Sequence, residues 1–487
     1  MLFLFIMSSN IRIFLCFCLF SAVNICFGQP SENNIVKAFI SDPSLSGASS
    51  GMMVFDPESG ETLLTHNRSA LLAPASVLKL VTSAAALEIL GPQYRFTTLL
   101  GYQGGMEQNS TVLTGNLVVK GGGDPTLGSL WFNNQIPQDS IFVKWMAGLK
   151  RMGINKISGN LVIDVSAYTG EAVPGSWSWE DIGNYYGAVP SALSFSDNMV
   201  RLYFDSSTTP GEPAKLVRTD PSLPGVTWMN EVKSSTVNRD LAYVYGSPWG
   251  EIRKITGTLP AGRTGFLVKA SMPEPPLYFG NIFRDRLTAS GITLEGSVVV
   301  SEESIEITEI DRFSSPPLAG ILIPLNRESI NLFADHLVFQ TALEKSGKGS
   351  FEAGIKLIQQ FWKNAGIRDT FFMDDGSGLS RFDGISAEQL VKMLTFMNKS
   401  KFRQEFLVSL PVAGTGTLSG FRTTDFPGQT LRCKSGSIDK VRSYAGYLRC
   451  DSGRVVAFAV LVNNYPCSSQ EMGRKLQKLL LSIKTAF

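Results

Sequence analysis

The pattern of apolar and polar residues changes twice along the 487-residue chain. Short apolar runs at 51–55 and 62–65 flank a turn that contains Pro and Gly, which predicts a β-hairpin. Residues 76–90 follow soon after a proline and are apolar on every side, which predicts a buried helix that ends at Gly91. These elements predict that the folded part opens as an α/β domain.

The middle of the chain has a different pattern. Between about residues 96 and 306, many short β runs are separated by Gly, Pro, Ser and Asp, which predicts mainly β structure. From about residue 317 the helical period returns. The elements predicted there are helices at 331–339 and 352–366, strands at 431–438, 443–450 and 455–463, and a final helix at 471–484. The two ends together predict one α/β domain interrupted by a β-rich middle.

A short apolar segment lies near the N-terminus. Arg12 precedes an apolar run at 13–27, and a polar stretch follows at 31–34. Because a membrane-spanning helix needs about 20 apolar residues, this shorter run predicts a secretory signal peptide over residues 1–28, cleaved after Gly28. A membrane anchor is the alternative. The signal peptide predicts a periplasmic protein.

Composition excludes several function classes. The chain has 44 Lys and Arg residues and 42 Asp and Glu residues, so its net charge is 44 − 42 = +2. Such a small net charge gives no strong positive field that would attract nucleic acid. With two histidines, His66 and His336, a His-rich metal site is excluded, and we expect no metal and no cofactor. A Ser-His-Asp triad would have only these two candidate bases. The cysteines beyond residue 28 are Cys433, Cys450 and Cys467, an odd number that gives no complete disulfide framework.

Candidate chemistry begins at the predicted helix 76–90. Ser76 and Lys79 are three positions apart, so their side chains can face each other within one helical turn. A neutral lysine could take the serine proton, and burial beside another cation would favour the neutral form. N–H groups at the helix N-terminus could stabilise an oxyanion. Taken alone, the S-x-x-K spacing is weak evidence, because a surface serine and a solvated lysine fit it equally well.

Two further motifs follow the S-x-x-K spacing along the chain. Ser329-Ile330-Asn331 lies at or just before a predicted helix, and Lys434-Ser435-Gly436-Ser437 lies on a predicted strand. They are variants of the S-D-N and K-T-G motifs that accompany S-x-x-K in serine β-lactamases and penicillin-binding proteins. Gly436 fits a strand on which the backbone of an extended substrate comes close.

With these motifs, the segments 121–127, 177–181, 375–381 and 410–418 resemble the class C low-molecular-mass penicillin-binding proteins, the DacB-like D-alanyl-D-alanine carboxypeptidase/endopeptidases. The resemblance covers nearly the whole chain beyond the signal peptide. The separation 329 − 76 = 253 residues matches the inserted domains of this family. Two residues depart from the usual pattern: Ser435 replaces threonine and Ile330 replaces aspartate.

The resemblance implies an α/β fold: a penicillin-binding, serine β-lactamase-like transpeptidase domain with an antiparallel sheet and helices, carrying large, mainly β inserted domains. The implied division is a signal peptide at 1–28, a discontinuous catalytic domain at 29–97 and 307–487, an inserted domain II at 98–200 and 270–306, and an inserted domain III at 201–269.

The resemblance also implies catalytic roles. Ser76 would attack the D-Ala-D-Ala amide, and Lys79 would act as its general base. Ser329 and Lys434 would relay a proton to the leaving D-alanine. Asn331 would hold either the Lys79 amine or the substrate amide. Penicillin, which mimics the D-Ala-D-Ala terminus, would trap Ser76 as a long-lived acyl-serine.

Substrate binding is implied at further positions. The Ser435 and Ser437 hydroxyls, with Lys434 and the strand position Gly436, would receive the terminal carboxylate, and the N–H groups of Ser76 and Ser437 would form the oxyanion hole. Asp181 and Arg381 would bind the ammonium and carboxylate at the end of a meso-diaminopimelate side chain in the third peptide residue.

Two other functions stay open from the residues alone: a serine β-lactamase, and a non-catalytic peptidoglycan-binding protein of the same fold. The expected partners are peptidoglycan peptides and β-lactams. The final helix has an apolar face opposite basic residues, so it either packs on the sheet or makes peripheral contact with an anionic membrane. The sequence does not determine the oligomeric state.

Overall fold

The computed structural model describes residues 34–487, so the predicted signal peptide and its cleavage site lie outside the described residues. The helices are α1 Asn34–Ile40, α2 Leu78–Leu90, α3 Ser140–Arg151, α4 Trp179–Ile182, α5 Pro275–Ala289, α6 Leu318–Arg327, α7 Asn331–Ser346, α8 Phe351–Asn364, α9 Ala387–Lys399, α10 Arg403–Ser409 and α11 Ser469–Ala486. The strands are β1 Ser49–Phe55, β2 Thr62–His66, β3 Thr97–Met106, β4 Val112–Lys120, β5 Lys156–Ile157, β6 Leu161–Asp164, β7 Met199–Asp205, β8 Lys215–Asp220, β9 Thr227–Asn230, β10 Lys233–Ser235, β11 Leu241–Tyr245, β12 Ile252–Pro260, β13 Phe266–Ser271, β14 Thr293–Leu294, β15 Val298–Ser301, β16 Thr308–Ser314, β17 Leu431–Ile438, β18 Val441–Arg449 and β19 Val455–Asn463.

Strands from the two ends of the described chain form one antiparallel sheet in the order β17-β18-β19-β1-β2. The register pairs Ser49 of β1 with Asn463 of β19. The predicted hairpin is β1–β2, and β19 has the predicted bounds. The strand order therefore shows that the two ends of the described chain share one sheet and that a long middle segment is inserted between them.

This sheet is apolar on both faces. In β19, Val456, Phe458, Val460 and Val462 belong to a core that includes α11, and the intervening Ala457, Ala459 and Leu461 belong to a second core with α2 and α6–α9. Successive strand residues point to opposite faces. A continuous apolar run, as in β19, therefore indicates a strand that is covered on both sides.

The middle segment builds separate sheets with their own cores. Strands β3–β6 and β14–β16 form a mixed sheet that packs against α3 and α5. Strands β7, β8 and β13 form one small sheet and β9–β12 another, and the two share an apolar core. The β-rich middle is present, but the strand pattern did not predict the helices α3 and α5.

The final helix packs against protein. Its apolar residues Met472, Leu476, Leu479, Leu480 and Ile483 are buried in the core shared with β18 and β19. This burial favours packing on the sheet over contact of that face with a membrane. Among residues 34–487, no helix is both long and apolar enough to cross a bilayer.

Candidate active site

A cleft of about 710 Å³ runs along the exposed edge of β17, between the two ends of the chain and the middle segment. Of the predicted site residues, those that line the cleft are Ser76, Asp181, Ser329, Asn331, Arg381, Ser435 and Ser437. Lys79 and Lys434 are fully buried next to it, and Gly436 is buried on the strand between two lining residues. The structure thus brings residues from five separate parts of the sequence to one place.

Ser76 lies in a tight turn at the start of α2. A 3-10 turn, Ala75–Val77, precedes the helix, and Ala75 has a left-handed φ of 48°. This conformation is costly for a residue with a Cβ, and the packing around Ala75 maintains it. A Cβ at Gly378 would lie 1.9 Å from the Ala75 carbonyl oxygen, so the loop around Gly378 fits closely over the turn. The Ser76 hydroxyl is thereby presented to the cleft by a rigid backbone.

Lys79 is the hydrogen-bonding centre of the site. Its Nζ lies 3.0 Å from Ser76 Oγ, 2.6 Å from Asn331 Oδ1 and 2.7 Å from the Ser377 carbonyl oxygen. The predicted pairing of Ser76 with Lys79 is therefore present in the geometry. Of the two alternatives for Asn331, the structure has the contact with the Lys79 amine.

The environment of Lys79 favours a neutral amine more than water does. Burial lowers its pKa from 10.5 to about 8, and the carboxylates of Asp335, Asp375 and Asp383 oppose this shift. A low-dielectric site disfavours the ammonium because it loses hydration. With a pKa near 8, a useful fraction of Lys79 is neutral at neutral pH, as a general base requires.

Lys434 and Ser329 form the second pair. Lys434 Nζ donates to Ser329 Oγ at 2.8 Å and to the Ser435 carbonyl oxygen at 2.7 Å. Burial, and then the charge of Lys79, hold the pKa of Lys434 well below its ordinary value. Ser329 has a left-handed φ of 62°, which points to a backbone held in place by its surroundings. The pair has the contact that a proton relay needs.

The loop at 375–381 anchors Lys79 from the far side. Asp375 is buried and accepts hydrogen bonds from the backbone N–H groups of Ser377, Gly378 and Ser380. It also accepts from Trp177 Nε1 at 2.8 Å, which links the loop to the middle segment. This network holds the carbonyl of Ser377 toward Lys79.

Besides the predicted approach of a substrate backbone, which stays a prediction, the packing of the protein itself requires Gly436. A Cβ at this position would lie 2.2 Å from Ser443 Oγ, 2.4 Å from the Pro74 carbonyl oxygen and 3.1 Å from the Ser76 nitrogen. The close approach is made by the protein's own backbone at the turn that carries Ser76. The glycine therefore sets the distance between β17 and Ser76.

Asp181 and Arg381 lie on the outer wall of the same cleft. Asp181 is half-buried on α4, and Arg381 is exposed and donates from Nη1 to the Asp439 carbonyl oxygen at 3.3 Å. Burial raises the pKa of Asp181, and the charge of Arg381 opposes this shift. An apolar cluster of Trp177, Ile182 and Leu379 joins the segments that carry the two residues. The opposite charges that the resemblance implies both lie on this wall, and the Tyr186 hydroxyl donates to Asp181.

These observations agree with comparisons to known proteins. The sequence model of the D-Ala-D-Ala carboxypeptidase 3 (S13) family matches residues 32–486. The chain belongs to this family. It is therefore a DacB-like penicillin-binding protein and a serine-type D-Ala-D-Ala carboxypeptidase by family, which confirms both predictions. The β-lactamase alternative is not favoured.

Individual relatives of this S13 carboxypeptidase cover most of its length. It is 29% identical to a D-alanyl-D-alanine carboxypeptidase of Actinomadura sp. over 88% of this chain and 80% of the relative. It is 24% identical to DacB of Haemophilus influenzae over 94% of both chains. The crystal structure of penicillin binding protein 4 (dacB) from Haemophilus influenzae matches with a TM-score of 0.79 at 25% identity, over 92% of this chain and 98% of that chain. The predicted fold class is confirmed.

The histidines and cysteines of the S13 carboxypeptidase lie outside this chemistry. Neither His66 nor His336 lines the cleft. His336 is buried, lies 2.8 Å from Ser194 Oγ, and has its pKa lowered to about 3 by burial. Cys433, Cys450 and Cys467 are free thiols, and the first two are buried. Within residues 34–487, no group of three His, Cys, Asp or Glu side chains could hold a metal ion.

Sequence reasoning missed the residues around Lys79 that hold it in position. Asp375 belongs to a segment that carried the family resemblance, but only Arg381 of that segment was assigned a role. Asp335 accepts from the Gly376 N–H at 2.8 Å, and it lies one turn along α7 from Asn331. A buried acid in an apolar helix was the available signal, because such groups are rarely left unpaired.

Proposed function

We propose that this S13 carboxypeptidase is exported to the periplasm and hydrolyses both D-Ala-D-Ala termini and D,D-cross-links of peptidoglycan through an acyl-Ser76 intermediate. The observation that carries the proposal is the convergence of two serine–lysine pairs on one cleft. Ser76 and Lys79 are 3.0 Å apart, and Ser329 and Lys434 are 2.8 Å apart. A protein that only binds peptidoglycan has no need of two buried lysines.

In the proposed acylation, Ser76 Oγ attacks the carbonyl carbon of the D-Ala-D-Ala amide while neutral Lys79 takes its proton. The N–H groups of Ser76 and Ser437 stabilise the oxyanion. The C–N bond then breaks, and the proton that Lys79 took passes through Ser329 and Lys434 to the leaving amine, so Lys79 is neutral again before deacylation. The products of this step are the acyl-enzyme and free D-alanine, or a released peptide in the case of a cross-link.

Deacylation follows from the same groups. Water attacks the acyl carbon, its proton passes to Lys79, and the bond to Ser76 Oγ breaks with return of a proton to Ser76. Asn331 holds the Lys79 amine throughout, since its Oδ1 lies 2.6 Å from Nζ and its Nδ2 donates to the Tyr186 carbonyl oxygen at 2.8 Å. The cleft therefore keeps its geometry between the two half-reactions.

The substrate is proposed to carry meso-diaminopimelate at the third peptide position. Asp181 would bind its ammonium and Arg381 its carboxylate, because the two side chains offer opposite charges on one wall. Hydrolysis of a D-Ala-D-Ala terminus and hydrolysis of a cross-link both break the bond after a D-alanine. The product pattern from purified cell-wall fragments tests this part: release of D-alanine together with conversion of cross-linked dimers to monomers supports both activities.

The location and the domain division are also proposals. Residues 1–28 would be removed, so that exported material begins at Gln29, which N-terminal sequencing of periplasmic protein tests. Residues 29–97 and 307–487 would form the catalytic domain, 98–200 and 270–306 domain II, and 201–269 domain III. Separate apolar cores in the middle segment support this division. The boundary at 306/307 is the exception, because β16 pairs with β3 and so belongs to the sheet of the middle segment.

Labelling with a fluorescent penicillin tests the reaction type. A penicillin that acylates Ser76 and is released slowly gives a stable label, which supports a peptidase. Rapid loss of the label would indicate a β-lactamase. Absence of label on folded protein would indicate a non-catalytic binder and contradict the proposal.

A further inference from the structure

The cleft contains a further arginine, Arg442, to which the mechanism above assigns no role. Arg442 lines the cleft and lies on β18 directly across from Ser437 of β17. Residues paired in this way carry their side chains on the same face of the sheet, with Cβ atoms roughly 5 Å apart. Arg442 is half-buried. The Arg442 side chain therefore leaves the sheet on the same face as the Ser437 hydroxyl, which is expected to receive the substrate carboxylate, and its guanidinium lies between Tyr444 and Gly473 of α11.

The partners of Arg442 are neutral. Nε and Nη2 donate to the Tyr444 hydroxyl at 3.1 and 2.6 Å, and the guanidinium lies 5.2 Å from the centre of the Tyr444 ring. Among residues 34–487, Nη1 has no acceptor and no carboxylate lies within ion-pair distance of the guanidinium. The contacts with Tyr444 orient a charged group without neutralising it.

The two lysines are poorly suited to hold an anion. Lys79 already contacts three oxygen acceptors, and Lys434 donates to Ser329 and to the Ser435 carbonyl. Burial lowers the pKa of both amines, which favours their neutral forms. A guanidinium keeps its charge throughout the physiological range and can contact both oxygens of a carboxylate.

We propose that Arg442 binds the free α-carboxylate of the residue that is released, beside the Ser435 and Ser437 hydroxyls. The inference rests on the proposed function, because it assigns a carboxylate subsite within the same cleft. It transfers the electrostatic part of carboxylate recognition from Lys434 to Arg442. Lys434 then remains available for the proton relay with Ser329.

The test compares two peptides that differ only at the C-terminus: one ends in D-Ala-D-Ala with a free carboxylate, and the other ends in the carboxamide. Dissociation constants are measured by calorimetry in the Ser76→Ala protein, where no turnover is needed. With Arg442→Gln added, we expect binding of the acid to weaken by roughly 10- to 100-fold, as for hydrogen bonds to charged groups. Binding of the amide should change by less than about threefold.

Two further variants distinguish charge recognition from a general structural effect. Arg442→Lys keeps the charge but loses the planar fork, so it should retain part of the preference for the acid. Arg449→Gln removes an exposed arginine from the end of the same strand and should leave both dissociation constants unchanged. Circular dichroism confirms that each variant is folded.

The outcomes separate this inference from the proposed function. An equal loss on acid and amide, or no loss on either, would overturn the role of Arg442 while leaving acylation of Ser76 intact. Selective weakening of the acid supports the role even if the wild-type protein proves unable to turn over either peptide. Failure of the Ser76→Ala protein to bind both peptides would overturn both proposals.

Discussion

The buried floor of the cleft, formed by Lys79 and Lys434, and its outer wall, which carries Asp181 and Arg381, have different roles. On the floor, Lys79 and Lys434 are fully buried, and each contacts at least two oxygen acceptors. On the wall, Asp181 is half-buried and Arg381 is exposed. Removing a floor group leaves buried partners unsatisfied whatever the substrate, whereas removing a wall group matters only to a ligand that carries the opposite charge. The difference separates groups for chemistry from groups for selection.

The largest effect is expected from Lys79→Met. The variant removes the general base and leaves Asn331 and the Ser377 carbonyl without their hydrogen-bond partner. We therefore expect kcat/KM to fall by about 10²- to 10⁴-fold. The loss should be the same for long peptides and for short D-Ala-D-Ala mimics. Steady-state kinetics on both substrates check this. Lys478→Met, on the exposed face of α11, is the matched control and should have near wild-type activity. A loss below tenfold would contradict the role of Lys79.

On the outer wall, Asp181→Ala and Arg381→Ala should each cost about 1.5–3 kcal/mol in transition-state stabilisation on peptides that contain diaminopimelate. Short mimics that lack this side chain should be turned over at nearly the wild-type rate. The measurement is kcat/KM for both substrates on both variants. An equal loss on the two substrates would mean that these residues serve the fold or the chemistry.

A smaller effect tests the spacing between the strand and the nucleophile. Gly436→Ala should lower the free energy of unfolding by about 1–3 kcal/mol, because its Cβ would overlap Ser443 and the Pro74 carbonyl. Penicillin acylation should slow as the turn at Ser76 moves. Denaturant unfolding and acylation rates measure both. Gly420→Ala, where a Cβ would meet no atom within 4 Å, should change neither. Normal stability and acylation in Gly436→Ala would show that this spacing is not critical.

The pH dependence of the acylation rate tests the protonation state of Lys79. Because the pKa of Lys79 is lowered to about 8 and its neutral form acts as the base, the acylation rate should rise about tenfold per pH unit below pH 8 and level off above it. His336, whose pKa is lowered to about 3, should give no inflection near pH 6.5. Penicillin acylation rates between about pH 6 and pH 10 provide the profile. An inflection near 6.5, or a flat profile, would exclude Lys79 as the titrating base.

Much of the sheet and the helices α2, α7, α8 and α11 could be predicted from periodicity, whereas α6, α9 and α10 were not predicted. The strands Leu431–Ile438 and Val455–Asn463 have the predicted bounds, and α11 extends the predicted helix by two residues at each end. The helices α3 and α5 were missed because short β runs dominate the middle segment. In α3, Ile141, Phe142, Trp145 and Leu149 form an apolar stripe at helical spacing, so a local signal was present.

The site could be predicted only in part. Ser76 and Lys79 share a helical turn, so their contact follows from local geometry. The contacts of Lys79 with Asn331 and with the Ser377 carbonyl join residues 252 and 298 positions apart. No local pattern specifies such contacts, because they depend on how distant loops pack. For the same reason, the packing of Gly436 against the Pro74 carbonyl could not be derived from the strand alone.

The most direct test of the account is the intact mass of penicillin-treated protein. Wild-type protein should gain one penicillin mass per chain, and peptide mapping should locate it on Ser76. Ser76→Ala, with an unchanged circular dichroism spectrum, should gain none and should release no D-alanine from peptides. An adduct of unchanged stoichiometry on Ser76→Ala would contradict the assignment of Ser76 as the nucleophile and, with it, the proposed mechanism.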